Sequence, residues 1–274
     1  KPALDFILKP LFDSGIDELV FIVGHLKEQV INHMKKYDGK FSFIEQKNRL
    51  GLGHAVLTGL KNTNKPVLVQ LGDTIFDLDY NEYCSSADNV IGVNEVDNPT
   101  RFGIVELKDD KVINFFEKHP NPPSNLAISG LYYFNNEGKL KSAIEELIKR
   151  NIKTNNEYQI TDALQIMVKQ GEDFSVFHTP NYYDVGVPEA FLYSNRLLLS
   201  SNHQDFPSSK IIEPVFIGDN CEIDNSIIGP YVTIMNNCNI YNSKIEDSII
   251  LEDSNITYGQ IIGKIAAKDG SEAC

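Results

Sequence analysis

Two aspartates stand where apolar stretches stop. Asp73 follows the run in "VLVQLGDTIF" (67–76), and Asp184 follows the aromatic pair in "NYYDVGVPEAF" (181–191). Each has a glycine close by, Gly72 before the first and Gly186 after the second. In open α/β sheets, ligands sit beyond the carboxyl ends of the strands. Two carboxylates at separate strand ends suit a hard cation such as Mg²⁺, which takes oxygen ligands and keeps water or phosphate in its other positions. Each aspartate alone is equally the residue that caps a turn or opens a helix; the pair points to a metal–phosphate site.

A third stretch, "IEQKNRLGLGHAV" (44–56), places a glycine-rich turn between a strand and a helix. Gly51-x-Gly53 lacks the third glycine of a dinucleotide fingerprint, and no G-x-x-x-x-G-K-[ST] occurs in the chain. Amide N–H groups at a helix start can hold an anion or a base edge. Gln46, whose side chain both donates and accepts, is suited to reading a nucleobase. A plain turn explains the same stretch equally well.

The elements that position these residues follow from periodicity. "ELVFIVG", "FSFIEQ", "PVLVQLGD", "NVIGVNEV" and "AISGLYYFN" read as strands, and "FGIVELKDDKVINFFEK" as a hairpin turning at Asp109-Asp110. "KEQVINHMKKY", "HAVLTGLK", "KLKSAIEELIKR" and "TDALQIMVKQ" read as helices, the last closed by Gly171. Alternation of near-continuous apolar strands with helices predicts an α/β domain over 1–208, its sheet covered on both faces. From 209 to 259 the helical period vanishes. Ile217, Ile223, Ile228, Ile234, Ile240, Ile245 and Ile250 recur at gaps of five or six residues, separated by Asn, Asp, Ser and Gly. That spacing predicts a hexapeptide-repeat β-helix of two to three coils, with 260–274 as a tail. A set of ordinary hairpins is the alternative.

Composition narrows the function classes. The formal charge of −13 disfavours nucleic acid, and no apolar run reaches the length of a membrane helix. Cys84, Cys221, Cys238 and Cys274 form no C-x-x-C pair, so neither a zinc site nor a disulfide framework is expected. With no signal peptide visible, a reducing cytoplasm is the expected location.

Taken in order, "EQKNRLGLGHAV", "LGDTIF", "RFGIVE", "FFEKHPNPPSNLAISGLYYF", "EYQITDALQ" and "YYDVGVPEAF" resemble the sugar-1-phosphate nucleotidylyltransferases. The resemblance is strongest to glucose-1-phosphate thymidylyltransferase-like proteins with a C-terminal left-handed β-helix. It runs from residue 1 to about 200 and continues into the repeats. It implies a glycosyltransferase-A-like, Rossmann-like mixed sheet, joining a sugar 1-phosphate (glucose 1-phosphate foremost) to a nucleoside triphosphate (dTTP or UTP) with release of pyrophosphate. It implies further that Gln46 and Gly51 contact the base, that Asp73 and Asp184 hold Mg²⁺, and that Gly103 and Glu117 contact the sugar. Lys118 would meet the sugar phosphate, and Tyr132 would line the sugar pocket. The plainer readings are a hairpin glycine at 103, a core tyrosine at 132 and a solvated strand end at Glu117-Lys118. The family's "EKP" stands here as Glu117-Lys118-His119-Pro120, one residue longer.

The family's glycine-rich signature, of the form G-x-G-T-R-L…P-K, has no counterpart in this sequence. Lys1-Pro2 matches the "GKP" that follows it, so the sequence is expected to begin some residues after that segment and to lack its strand and cationic loop. An alternative of another class is a sugar-nucleotide-binding regulatory protein without catalysis. Retention of both aspartates favours the enzyme. Acyl transfer by the repeats is disfavoured by their short length and by the absence of His after His203; assembly of a homo-oligomer is the role expected of them.

Overall fold

The computed structural model describes residues 2–179, 181–202 and 204–267. Lys1, His203 and the last part of the expected tail, 268–274 with Cys274, lie outside the described residues. The chain divides into two compact units, Lys1–Tyr182 and Tyr183–Cys274.

The first unit begins with α1 (Ala3–Asp13), β1 (Glu18–Val23), α2 (Lys27–Met34), β2 (Lys40–Glu45) and α3 (Leu52–Gly59). It continues through β3 (Val67–Gln70), β4 (Thr74–Phe76), α4 (Tyr80–Tyr83), β5 (Asn89–Glu95), β6 (Gly103–Lys108), β7 (Lys111–Glu117) and β8 (Leu126–Phe134). α5 (Glu137–Lys149), α6 (Ile160–Lys169) and β9 (Phe174–His178) complete it. Among the described residues a six-stranded sheet runs β7-β6-β8-β5-β9, with β3 also on β8. It is mixed, since β5 pairs antiparallel with β8 and parallel with β9. β1 and β2 form a separate parallel pair.

The expected hairpin turns where predicted: Lys108 faces Lys111 across Asp109 and Asp110, both at positive φ, the geometry that matches the twist of the flanking strands. Burial is less uniform than near-continuous apolar strands predict. All four residues of β3 are only half-buried, since among the described residues β3 has a ladder on one side alone. β4, the four-residue helix α4 and β9 carry no strong period and are not anticipated by the pattern.

The core joins the sheet to α5 and α6, where Leu140, Ala143, Ile144, Leu147, Ala163, Leu164 and Met167 are fully buried at i, i+3, i+4 spacing. A carboxylate anchors the start of α5. Glu137 accepts from the amides of Lys61 (2.6 Å) and Thr63 (2.7 Å) and from the Thr63 hydroxyl (2.5 Å). These bonds tie the loop before β3 to the helix that covers it.

In the second unit, β10 (Tyr182–Asp184), which runs across the division, leads to α7 (Pro188–Leu198). Three strands per turn then follow. β11 (Lys210–Ile211), β12 (Val215–Ile217) and β13 (Glu222–Asp224) form the first turn; β14 (Ile227–Ile228), β15 (Val232–Ile234) and β16 (Asn239–Tyr241) form the second. β17 (Lys244–Glu246), β18 (Ile249–Ile250) and β19 (Asn255–Thr257) form the third, and β20 (Gln260–Ile262) with β21 (Ile265–Ala266) begin a fourth. Each strand pairs in parallel with the one 16 or 17 residues later, for example Ile223 with Ile240 and Ile240 with Ile256. Strands therefore continue past residue 259 into the segment expected to be a tail. All seven isoleucines picked out by spacing are buried in one apolar cluster. α7 is tied to the coil by the Arg196–Asp247 ion pair and by the Thr233 hydroxyl, which donates to Asn195 Oδ1 at 2.7 Å.

Candidate functional site

The end of β3 is fixed by its partner strand. Gln70 lies opposite Leu131, and the Leu71 amide donates to the Gly130 carbonyl at 3.0 Å. Gly130 has φ +91, and a Cβ there would sit 2.9 Å from Leu71 Cδ1, so only glycine fits. Gln70 then braces the turn that follows. Its Nε2 donates to the Thr74 carbonyl at 3.1 Å, and its Oε1 accepts from the buried Tyr80 hydroxyl at 2.6 Å. The turn presents Asp73 to solvent. Its nearest polar partner is the Thr74 hydroxyl at 3.4 Å, a long contact, and among the described residues Asp73 has no ion pair. Gly72 has open space where a Cβ would stand. An exposed carboxylate with free oxygens fits a hard cation.

Tyr132, on β8 opposite Val69, is buried and stacks on Phe134, so the plainer core reading holds for its ring. Its hydroxyl has no hydrogen-bond partner among the described residues. Burial pushes its pKa far above the ordinary tyrosine value, and the charges of Glu117 and then Asp73 add to this. The three side chains therefore share one electrostatic neighbourhood.

Glu117 ends β7 opposite Gly103, with its side chain 9 % exposed. A Cβ on Gly103 would come within 2.9 Å of Thr161 Oγ1 and 3.2 Å of Glu117 Oε2, so the glycine leaves the room in which these two groups meet. The carboxyl group is held above the usual carboxylate range, chiefly by burial. A hydrogen bond from the Thr161 hydroxyl and the charge of Lys118 oppose that rise, while Asp162 and Glu157 add to it. A raised folded-state value contributes stability that is complete below the ordinary carboxylate value and is lost as pH rises through the raised one. Ionising Glu117 therefore works against the fold. Thr161→Val keeps the shape and removes the donor; the Glu117 titration, followed by carboxyl-carbon NMR, is expected to move further up. An unmoved titration would show that the hydroxyl does not support the anion.

Lys118 follows at φ +46, a conformation uncommon outside glycine, with its amide donating to the Phe102 carbonyl at 3.0 Å. Its ammonium group lies 3.9 Å from Glu117 Oε1 and is largely exposed. The backbone thus turns the side chain out of the ladder and leaves an exposed ammonium group beside the buried Glu117 carboxyl.

The glycine-rich turn has a physical cause within the chain. Gly51 (φ +108) precedes α3, and a Cβ there would stand 2.7 Å from the Tyr158 carbonyl oxygen; at Gly53 the distance is 2.9 Å. The Gly53 amide donates to that carbonyl at 2.8 Å, and the Tyr158 amide donates to the Leu50 carbonyl at 2.8 Å. Close approach to Tyr158 therefore requires both glycines. Gly51→Ala combines a forbidden φ with a backbone clash and is expected to cost about 2–4 kcal/mol in denaturant unfolding. Gln46, just past β2, donates from Nε2 to the Gly51 carbonyl at 3.2 Å and lies 3.0 Å from His54 Nδ1.

In the second unit Asp184 is exposed. Its Oδ1 accepts from the Gly186 amide at 2.7 Å, a turn of the kind the plainer reading predicts, and its carbonyl accepts from the buried Ser194 hydroxyl at 2.7 Å. The carboxylate has no ion pair among the described residues, and its other oxygen remains available to a cation. Among the described residues no group of three or more His, Cys, Asp or Glu side chains forms a metal cage.

A family model described as nucleotidyl transferase matches residues 1–201. The chain belongs to this family. Its curated relatives include the bifunctional protein GlmU of Methanocaldococcus jannaschii, 30% identical over 96% of this chain and 69% of that protein. Another is the glucose-1-phosphate thymidylyltransferase of Streptomyces antibioticus, 29% identical over 96% of this chain and 84% of that one. The resemblance to sugar-1-phosphate nucleotidylyltransferases read from the motifs is thereby borne out. The fold agrees: a crystal structure of UDP-glucose pyrophosphorylase complexed with UDP-glucose superposes with a TM-score of 0.60, at 23% identity, over 71% of this chain and 85% of that one.

Within this nucleotidyl transferase, Asp73, Tyr132, Glu117, Lys118 and Gly103 come together in the first unit, and Gln46 meets Gly51. The sequence reading passed over Thr161, Asp162 and His54, although "EYQITDALQ" and "GLGHAV" contain them. Their signal was position inside the motifs; their roles come from contacts across distant segments.

Proposed function

We propose that this nucleotidyl transferase joins a sugar 1-phosphate, glucose 1-phosphate foremost, to dTTP or UTP with release of pyrophosphate. The observation that carries the reading is Asp73, exposed just past the end of β3 where α/β sheets place ligands, with its charge and that of Glu117 both felt at Tyr132 and with Lys118 beside Glu117. The names of the thymidylyltransferase and UDP-glucose pyrophosphorylase relatives support the substrate class.

In this reading Gln46 and Gly51 meet the base, while Gly103 and Glu117 accept sugar hydroxyls over Tyr132. Lys118 neutralises the sugar phosphate and so lowers its repulsion from the triphosphate. A phosphate oxygen of the sugar 1-phosphate attacks the α-phosphorus in line; the bond from that phosphorus to the bridging oxygen breaks, and pyrophosphate leaves with the electron pair. No side chain forms a covalent intermediate. Mg²⁺, with Asp73 and Asp184 as its proposed ligands, supplies charge neutralisation at the phosphates. Asp73 fits that role through its free oxygens; Asp184 is assigned to it by the sequence resemblance.

The coil is read as the left-handed β-helix expected from the repeats, and as the element through which copies of the chain assemble. The test of the activity is pyrophosphate release from glucose 1-phosphate with each of dTTP, UTP, CTP and ATP, with and without Mg²⁺. Release confined to dTTP or UTP supports the reading. Binding of a sugar nucleotide without any release would replace it with that of a non-catalytic binding protein.

A further inference from the structure

Gln46 carries a constraint that its role in the proposed site does not require. Its Nε2 bears two hydrogens, and two neighbours lie within reach of that atom: the Gly51 carbonyl at 3.2 Å and His54 Nδ1 at 3.0 Å. A peptide carbonyl can only accept, so the nitrogen, not the oxygen, must face Gly51. The second hydrogen then meets His54 Nδ1, which must offer a lone pair, placing the imidazole proton on Nε2. Turning the amide over would set one carbonyl against another. Gln46 Oε1 is left with no hydrogen-bond partner among the described residues. His54 belongs to the first turn of α3, the helix whose start is pinned to the Tyr158 backbone through Gly53, so the ring is held by a rigid element.

We infer that His54 is a positioning residue that locks the Gln46 amide with Oε1 as its free atom, so that this position selects bases presenting a ring N–H against those that do not. Uracil and thymine carry a hydrogen on N3; cytosine carries a lone pair there and is opposed by the fixed acceptor. The inference rests on the reading in which Gln46 meets the base, and it adds what sets the direction of that contact. The Gly51 carbonyl favours this orientation through a long bond, and the His54 contact holds the amide against it; without His54 the amide is free to rotate away from Gly51 and turn over, offering cytosine a donor.

The test is calorimetric titration of the whole chain with UTP, dTTP and CTP in the presence of Mg²⁺, for the unaltered protein and for Gln46→Ala, His54→Leu and His54→Asn. Thermal unfolding of each variant accompanies it. The unaltered chain is expected to prefer UTP and dTTP over CTP, and Gln46→Ala to abolish that preference. His54→Leu, which fills the space without an acceptor, is expected to narrow the UTP-to-CTP ratio by about 3–10-fold, the bias of one ordinary hydrogen bond. His54→Asn, whose Oδ1 can take the place of Nδ1, is expected to restore most of it. If Gln46→Ala abolishes the preference while His54→Leu leaves it whole, the lock is refuted and the base contact stands. Equal narrowing in His54→Leu and His54→Asn would likewise refute it, in favour of simple packing. A preference that survives Gln46→Ala, or one absent from the unaltered chain, removes the base reading and the lock together.

Discussion

Asp73→Asn is expected to lower Mg²⁺-dependent pyrophosphate release by about 10²–10³-fold, the scale of losing one well-placed group that stabilises transition-state charge. The same substitution is expected to leave stability within about 0.5 kcal/mol, as for exposed positions generally. The reason lies in the division of labour around the β3–β4 turn. Gln70, Tyr80 and Gly130 hold its shape through bonds that never involve the Asp73 carboxylate. That carboxylate contributes one long contact to the fold and is free for chemistry. Steady-state rates over a range of Mg²⁺ concentrations, with thermal unfolding of both proteins, check the prediction. A variant that keeps its rate would remove Asp73 from the site; one that loses rate and stability together would mean that the carboxylate is structural.

A large effect on stability is expected at Glu137. Replacement by Ala leaves the amides of Lys61 and Thr63 without their acceptor beneath the start of α5 and is expected to cost about 2–4 kcal/mol. Glu137→Gln should cost less, since one oxygen still accepts while the new amide hydrogens face donors. The pH dependence carries a definite sign. Burial alone would raise the pKa of this group, but the Thr63 hydroxyl and the two amides outweigh it and hold the carboxyl below the ordinary carboxylate value. A depressed folded-state value contributes stability above the unfolded value and forfeits it as pH falls through the folded one. Urea midpoints measured downward from neutral pH are expected to fall more steeply for the unaltered protein than for Glu137→Gln. Parallel curves would show that Glu137 does not couple folding to protonation.

Those two residues mark the boundary between what the sequence shows and what it conceals. Asp73 is conspicuous because a carboxylate at the end of "VLVQLG" breaks an apolar run. The Asp109-Asp110 hairpin and the five- and six-residue isoleucine spacing are equally plain, since local geometry dictates both. Glu137, in "NNEGKLKS", looks like any acidic residue opening a helix; its partners lie more than seventy positions away. The glycines of "LGLG" are visible as a turn, yet their cause, the Tyr158 backbone, comes from a segment a hundred residues on. Thr161 and His54 are hidden for the same reason. Periodicity reports which face of an element is buried, and it is silent about which distant polar group meets it there.

The coil admits a further consequence. Each turn lays 16 or 17 residues directly on the turn before it, and inward isoleucines stack on inward isoleucines. A strand presents alternate residues to opposite faces, so one residue added within a strand would turn the next aliphatic outward and a polar neighbour inward. Removing or adding a whole turn leaves every remaining side chain on its original face. Length in this part of the molecule is therefore quantised: it can change in steps of one circuit, and intermediate lengths are closed to it unless the extra residues bulge out at a corner.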